Sequence, residues 1–269
     1  MRTLLYTLLF LFTASASHAG VEEYINGKYE GDYKDGKKSG HGRALYYDGS
    51  MYDGMWAEDM RNGVGRAIFI DGSSYYGDWM NDKREGRGNY EFPNGDKYIG
   101  QFKNDQMNGW GTYNYANGNK YVGEFVSGSI TGKGTIYYAN SERYEGTFVN
   151  GSKAGKGKYF YRNGNIYEGY FVSDKKEGFG KMTFANGDVY TGEFKQNDRT
   201  GAGTFVWANG DKYEGEFNNG KMNGFGTFTW ADGEKYTGTW TNNVRYGQGT
   251  LVSANGKEKM VAYANGGEQ

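Results

Sequence analysis

From Tyr29 onward, apolar and polar positions alternate in short runs, and the runs recur at a fixed interval. In Tyr213-Glu214-Gly215-Glu216-Phe217 the rings and the glycine fall on every second residue with carboxylates between them. A strand built on that pattern carries ring, gap and ring on one face and solvated charge on the other. The leading tyrosine recurs every 23 residues without slippage, at Tyr29, Tyr52, Tyr75, Tyr98, Tyr121, Tyr144, Tyr167, Tyr190, Tyr213 and Tyr236. A glycine stands two residues after each, and an aromatic residue two further on. Every unit then carries G-x-G followed by a polar and an apolar residue, as in Gly224-Phe225-Gly226-Thr227-Phe228. A second aromatic closes nine of the ten units, ahead of Asn or Asp and Gly; Ser141 and Ser253 are the breaks in these columns. Two strands per unit joined by turns make a β-hairpin array, and the Asn-Gly or Asp-Gly pair predicts a two-residue turn with positive φ between units. The pattern therefore predicts an all-β, elongated, single-layer antiparallel ribbon of about twenty strands. Glycine weakens a strand unless a neighbouring ring covers its backbone, so the rings are expected to lie over the glycines.

The ends depart from the period. Residues 20–28 read as an N-terminal capping half-repeat, one residue short of register, and 259–269 as a C-terminal capping strand and tail. Irregular ends suit an open array, because a regular edge invites pairing with another chain. Residues 1–19 hold Arg2, the apolar run Leu4–Phe12 and the small-residue exit Ser17-His18-Ala19, the pattern of a secretory signal peptide. Export to the periplasm, the cell envelope or the extracellular space is the expected destination.

Composition narrows the function classes. The 269 residues include 47 glycines, one proline and no cysteine. Collagen is excluded by the single proline, and disulfide support by the missing thiols. The 31 basic and 32 acidic side chains nearly cancel, which gives no general attraction to nucleic acid. With 18% aromatic residues there is apolar surface to bury despite scarce aliphatics, so a disordered chain is not indicated.

The unit Y-x-G-x-[FWY]-x-x-[GDN]-x-x-x-G-x-G-x-x-x-[FWY]-x-[ND]-G, as in Tyr213 to Gly233, resembles the MORN (membrane occupation and recognition nexus) repeat over residues 29–258. The resemblance implies a single-layer β ribbon and a role in scaffolding, self-association or membrane-associated binding. Members often carry an enzyme domain beside the repeats, and none is present in this sequence. A fainter similarity to the aromatic and glycine hairpin repeats of some secreted glycan-binding proteins keeps cell-wall glycan as an alternative ligand.

Catalysis lacks parts. His41 is the one histidine beyond the leader and sits inside the first G-x-G, where it reads as a loop residue. With His41 alone and no cysteine, both the Ser/Cys-His nucleophile arrangements and His/Cys metal sites lack members. The G-x-G never extends to a nucleotide-binding fingerprint, and paired acids such as Glu214 and Glu216 recur as the wet face of the repeat. No enzyme activity, cofactor or metal is expected. Binding is the remaining class. Between the strands of eight units stand Lys37, Lys38, Arg61, Lys83, Arg84, Lys153, Lys175, Lys176, Arg199, Lys221 and Arg245, which stacked at ~10 Å would line one basic edge able to hold anionic lipid or glycan. Trp110, Phe179 and Phe225 take the variable place of G-x-G and are candidates for stacking on sugar or dipping into a bilayer. The leading expectation is a protein scaffold whose partly open ring face is covered by self-association or by a partner protein.

Overall fold

The computed structural model describes residues 18–24, 26–264 and 266–268. The Leu4–Phe12 run, on which the signal peptide reading rests, lies outside the described residues. Each repeat folds as two antiparallel strands, as in Lys212–Asn218 and Lys221–Thr229. The ten repeats supply twenty strands, and His18–Tyr24, Glu258–Ala264 and Gly267–Glu268 add to them at the ends. The fold is all-β, an open single-layer sheet of antiparallel hairpins with no helix among the described residues.

Contacts sort the chain into two compact units. One holds the described residues up to Pro93 together with Phe102–Asp105, the other Asn94–Gln101 and everything from Gln106 on. In the first, Gly42 pairs with Gly54 and Gly54 with Gly65. In the second, Gly203 pairs with Gly215 and Gly215 with Gly226 by the same rule. His18–Tyr24 joins this register through Gly20 opposite Gly31.

The core is the tyrosine column. Tyr29, Tyr52, Tyr98, Tyr121, Tyr144, Tyr167, Tyr190, Tyr213 and Tyr236 have no exposed surface, and Tyr75 has 1%. Each ring lies over a glycine pair, as expected. A Cβ added to Gly226 would meet the Tyr213 hydroxyl at 2.3 Å, and one on Gly215 would meet the Gly226 Cα at 2.5 Å. The ring then reaches the next repeat: Tyr144 packs edge-on against Phe148 at 5.2 Å and against Phe171 at 4.9 Å. Such T-shaped pairs set the positive ring edge against the negative face. Three indoles add a tie between repeats, with Trp56, Trp79 and Trp240 Nε1 donating to the carbonyls of Gly42, Gly65 and Gly226.

The turns correct the sequence reading. The two-residue turns with positive φ lie inside the repeats, between the two strands, as at Glu58 (51°) and Asp59 (65°) or Asn150 (47°) and Gly151 (81°). Between repeats the Asx-Gly pair belongs to a longer turn. Phe69 N–H donates to Ser73 O at 2.9 Å and Gly72 N–H to Phe69 O at 2.9 Å, and only Gly72 has positive φ (83°). The Asp71 carboxylate accepts from Ser73 N–H two residues on, which is why an Asx residue stands there. The physical difference is that this turn has one left-handed place, taken by glycine in nine repeats and by Ser141 (73°) in the fifth, whereas inside the repeats two consecutive residues take it, among them Asn, Asp, Ser, Gln and Glu.

The buried hydroxyls yield two predictions. Tyr144 and Tyr213 donate to the carbonyls of Thr147 and Glu216 at 3.0 and 3.1 Å, but the buried Tyr236 hydroxyl has no partner. Tyr213→Phe is expected to cost about 1 kcal/mol in urea unfolding and Tyr236→Phe nothing or less than nothing; equal losses at both sites would refute the assignment. Burial pushes Tyr29, Tyr98, Tyr190 and Tyr213 up to about 12. Since unfolded tyrosine ionises near ~10, this contribution to stability is whole below that pH and is lost as pH climbs towards about 12. Tyrosinate absorbance of the buried rings should therefore rise together with loss of β circular dichroism, and separate transitions would contradict it.

Candidate binding faces

Successive residues of a strand point to opposite faces, and this decides where each predicted site residue goes. The basic residues expected in loops between strands are themselves in strands, since the turns take only two residues. Lys37, Lys83, Lys175 and Lys221 open their strands and are exposed, on the side away from the tyrosines. Lys37 pairs with Glu58, whose carboxylate holds the ammonium above its ordinary value, Lys83 reaches Asn104 at 3.4 Å, and Lys175 bonds Gln196. Lys38, Arg61, Arg84, Lys153, Lys176, Arg199 and Arg245 turn to the tyrosine face. The expected single basic edge is thus split between two faces.

The inward set is engaged in holding the fold. The Arg61 guanidinium lies 4.1 Å from the Trp79 ring, bonds the Asp82 carboxylate at 3.0 Å and donates to the Asp82 carbonyl at 2.8 Å. Arg84 repeats this with Asp105 and with the ring of Tyr90 at 4.8 Å. Arg199 donates to Gly220 O at 2.6 Å over Phe205, and Arg245 bonds the Tyr263 hydroxyl at 2.6 Å. Lys153 lies 5.1 Å from the Tyr159 ring, and Lys38 5.0 Å from Trp56. Burial pushes the Lys176 ammonium and the Arg199 guanidinium below their usual values. These cations roof the tyrosine column, so much of this face is covered by its own side chains, while second aromatics such as Tyr115, Phe184 and Trp207 stay half-buried on it. A hollow of about 380 Å³ remains on it, between Phe184, Trp207, Phe217 and Met222.

A tie between consecutive repeats escaped sequence reasoning. The second turn residue donates its N–H to the carbonyl 21 residues earlier, from Asp59 to Lys38, Asp82 to Arg61, Gly128 to Met107 and Gly151 to Ile130. The signal was in the columns. Where the earlier residue is Met107 or Ile130 the turn residue is Gly, and before Asp59, Asp82, Asp105, Asp174 and Asn197 it is Lys or Arg. Arg199 with Gly220 and Met222 with Asn243 break that rule.

The outward face is not uniformly wet. Trp110, Phe179 and Phe225 are 56%, 62% and 62% exposed there, opposite Glu124, Glu193 and Thr239. Tyr76, Tyr137 and Tyr170, which the sequence reading passed over, are exposed on the same side. His41 is in a strand rather than a loop, 3.1 Å from Asp53 on this face. Among the described residues, no group of three His, Asp or Glu side chains is placed to hold a metal ion.

An open sheet of identical hairpins, with rings over glycine pairs and repeats tied at both strand ends, defines a β-repeat array. The MORN repeat family model matches ten consecutive segments, from 29–51 to 236–258, and the chain belongs to that family. No curated protein matches it. Among solved structures, the fold is similar to the TCP10 domain of Danio rerio CPAP in complex with a peptide of Danio rerio STIL, at 14% identity over 84% of this chain and 96% of that one, with a TM-score of 0.41. The SAS-4 TCP domain of Drosophila melanogaster, in complex with a proline-rich motif of Ana2, is 18% identical over 56% and 83%, with a TM-score of 0.37.

The split of the basic residues is testable. Arg84→Ala removes a ring contact and two hydrogen bonds and is expected to cost about 1–2 kcal/mol in urea unfolding. Lys83→Ala, next to it but exposed, is expected to change stability by less than about 0.5 kcal/mol. Equal effects would show that Arg84 does not hold the repeats together.

Proposed function

We propose that the chain is a non-catalytic scaffold that holds partner proteins on its outward face, after export to the cell envelope or the extracellular space. The observation that carries this is the placement of the exposed rings. The tyrosine column is buried and roofed by its own cations, whereas Trp110, Phe179 and Phe225 stand exposed on the other side in the second unit, together with Tyr137 and Tyr170, which have only Lys120 and Lys156 near them at 4.8 and 5.5 Å. Exposed aromatic residues in that number mark interaction surfaces, where they supply contact area at low entropic cost. The Leu4–Phe12 run and the Ser17-His18-Ala19 exit support export, and cleavage after Ala19 leaves Gly20–Tyr24 to pair with the first repeat. Binding of anionic lipid along a basic edge has weaker support, because the inward cations are already spent on rings and turn residues and the outward set is reduced to Lys37, Lys83, Lys175 and Lys221.

The test compares the full chain with Phe179→Ser/Phe225→Ser and with Lys83→Ala/Lys175→Ala, each immobilised and exposed to envelope extract and to phosphatidylglycerol vesicles. Proteins retained by the native chain and by the lysine variant, but lost from the phenylalanine variant, are the expected result. Retention of vesicles alone, abolished by the lysine substitutions, would overturn the reading in favour of lipid.

A further inference from the structure

On the outward face of the second unit a hollow of about 410 Å³ opens beside Trp110, with Val122 and Tyr137 along it. The close Gly134 and Gly146 backbones and the short Thr135 and Thr147 side chains make its floor, and Lys133 and Lys156 stand on its rim. Both lysines are exposed. Their situation differs from that of other cations on this face. Arg143 pairs with Glu145 at 2.9 Å, Lys158 with Glu168 at 3.3 Å and Lys212 with Glu214 at 2.7 Å. Lys133 has no carboxylate partner, and Lys156 has only the Tyr170 ring, 5.5 Å away. Glu124, the nearest acid by register, is turned along the backbone at Gly132, where an added Cβ would lie 2.1 Å from its Oε2. The hollow thus joins an exposed indole to two uncompensated positive charges.

We propose that this hollow takes an extended acidic segment of a partner protein, with an apolar side chain on Trp110 and one carboxylate on each of Lys133 and Lys156. The inference rests on the scaffold reading and names the chemistry of the partner. The spacing follows from the strands. Trp110, Lys133 and Lys156 occupy the same place in successive repeats, two strands apart, so each step is ~10 Å. A polyproline II segment rises ~3.1 Å per residue with three residues per turn, and every third side chain returns to one side at about 9 Å. The matching pattern is apolar-x-x-acid-x-x-acid. A β-strand fits less well, because residues three apart in it point to opposite sides.

The test uses fluorescence anisotropy of labelled peptides against the full chain. The probe is Phe-Pro-Pro-Glu-Pro-Pro-Glu, with comparison peptides that carry Lys for both Glu, Ala for Phe, or the two Glu only two residues apart. The probe is expected to bind below about 1 mM and to weaken as salt rises. Lys133→Glu/Lys156→Glu and Trp110→Ser should each weaken it by roughly tenfold or more, while Lys181→Glu, on the same face outside the hollow, leaves it unchanged. Lys133→Gln/Lys156→Gln covers the case in which the charge reversal disturbs folding, and should weaken the probe in the same direction. Equal binding of the lysine peptide, an unaltered affinity in the lysine variants, or no binding of the probe overturns the proposal. So does phosphatidylglycerol vesicle binding that is lost with the same two lysines while no peptide binds, since the hollow is then a lipid site. If the probe fails while proteins are still retained through Phe179 and Phe225, this inference falls and the scaffold reading stands.

Discussion

Everything in this fold depends on one close approach: a tyrosine ring laid flat over two paired glycines. A single-layer sheet has no second layer to bury its apolar face, so the face must bury itself. The missing Cβ atoms let the Tyr213 ring sink onto Gly215 and Gly226, and the hydroxyl reaches past them to a carbonyl of its own strand. That one insertion hides the ring, covers the weak glycine backbone and fixes register, because a slip of one residue would set a side chain where the ring must lie. Ring edges then meet ring faces from repeat to repeat, and the core becomes a line of aromatics in place of a volume.

The strand ends carry a second set of constraints. At one end the two-residue turns donate to the carbonyl 21 residues back, and Arg61, Arg84 and Lys153 bridge the turn residue and the ring below it. At the other end the side chains of Asp188 and Asp211 accept from the backbone N–H of Ala208 and Ala231 in the following turn. These bonds run between equivalent places in consecutive repeats, so each repeat completes the one before it. Stability of this kind is a sum of nearest-neighbour terms, which is how repeat arrays behave in general.

Much of the fold was legible because the fold consumes most of the sequence. The Tyr29 to Tyr236 column, its glycines and the aromatic residues after them state period, strand count and core directly. The faces were harder to read. Alternation shows that Tyr213 and Phe217 share a side, but it does not show that Lys153 folds back over the rings of that side. The basic row looked continuous in sequence because Lys37 and Lys38 are neighbours, yet a strand sends neighbours apart. Turn type misled for a related reason: Asn-Gly suits more than one turn, and hydrogen bonds such as Phe69 N–H to Ser73 O decide which one forms. The outward ring Tyr170 went unread because it stands in a column that is polar in most other repeats, where an exception is quiet, and Tyr137 because its column mixes Leu45, Ile68 and Phe160 with Glu91, Asn114 and Thr229 and so states no side.

The strand Glu258–Ala264 continues the pairing but changes its chemistry. Tyr263 supplies a ring edge to Tyr236 at 5.3 Å, so the last complete repeat is finished. Lys259 stands where the next tyrosine would be, and the buried Val261 takes the place of its glycine. This strand accepts the ring behind it and presents none ahead. Growth of the aromatic line therefore stops at this strand by composition, through two substitutions.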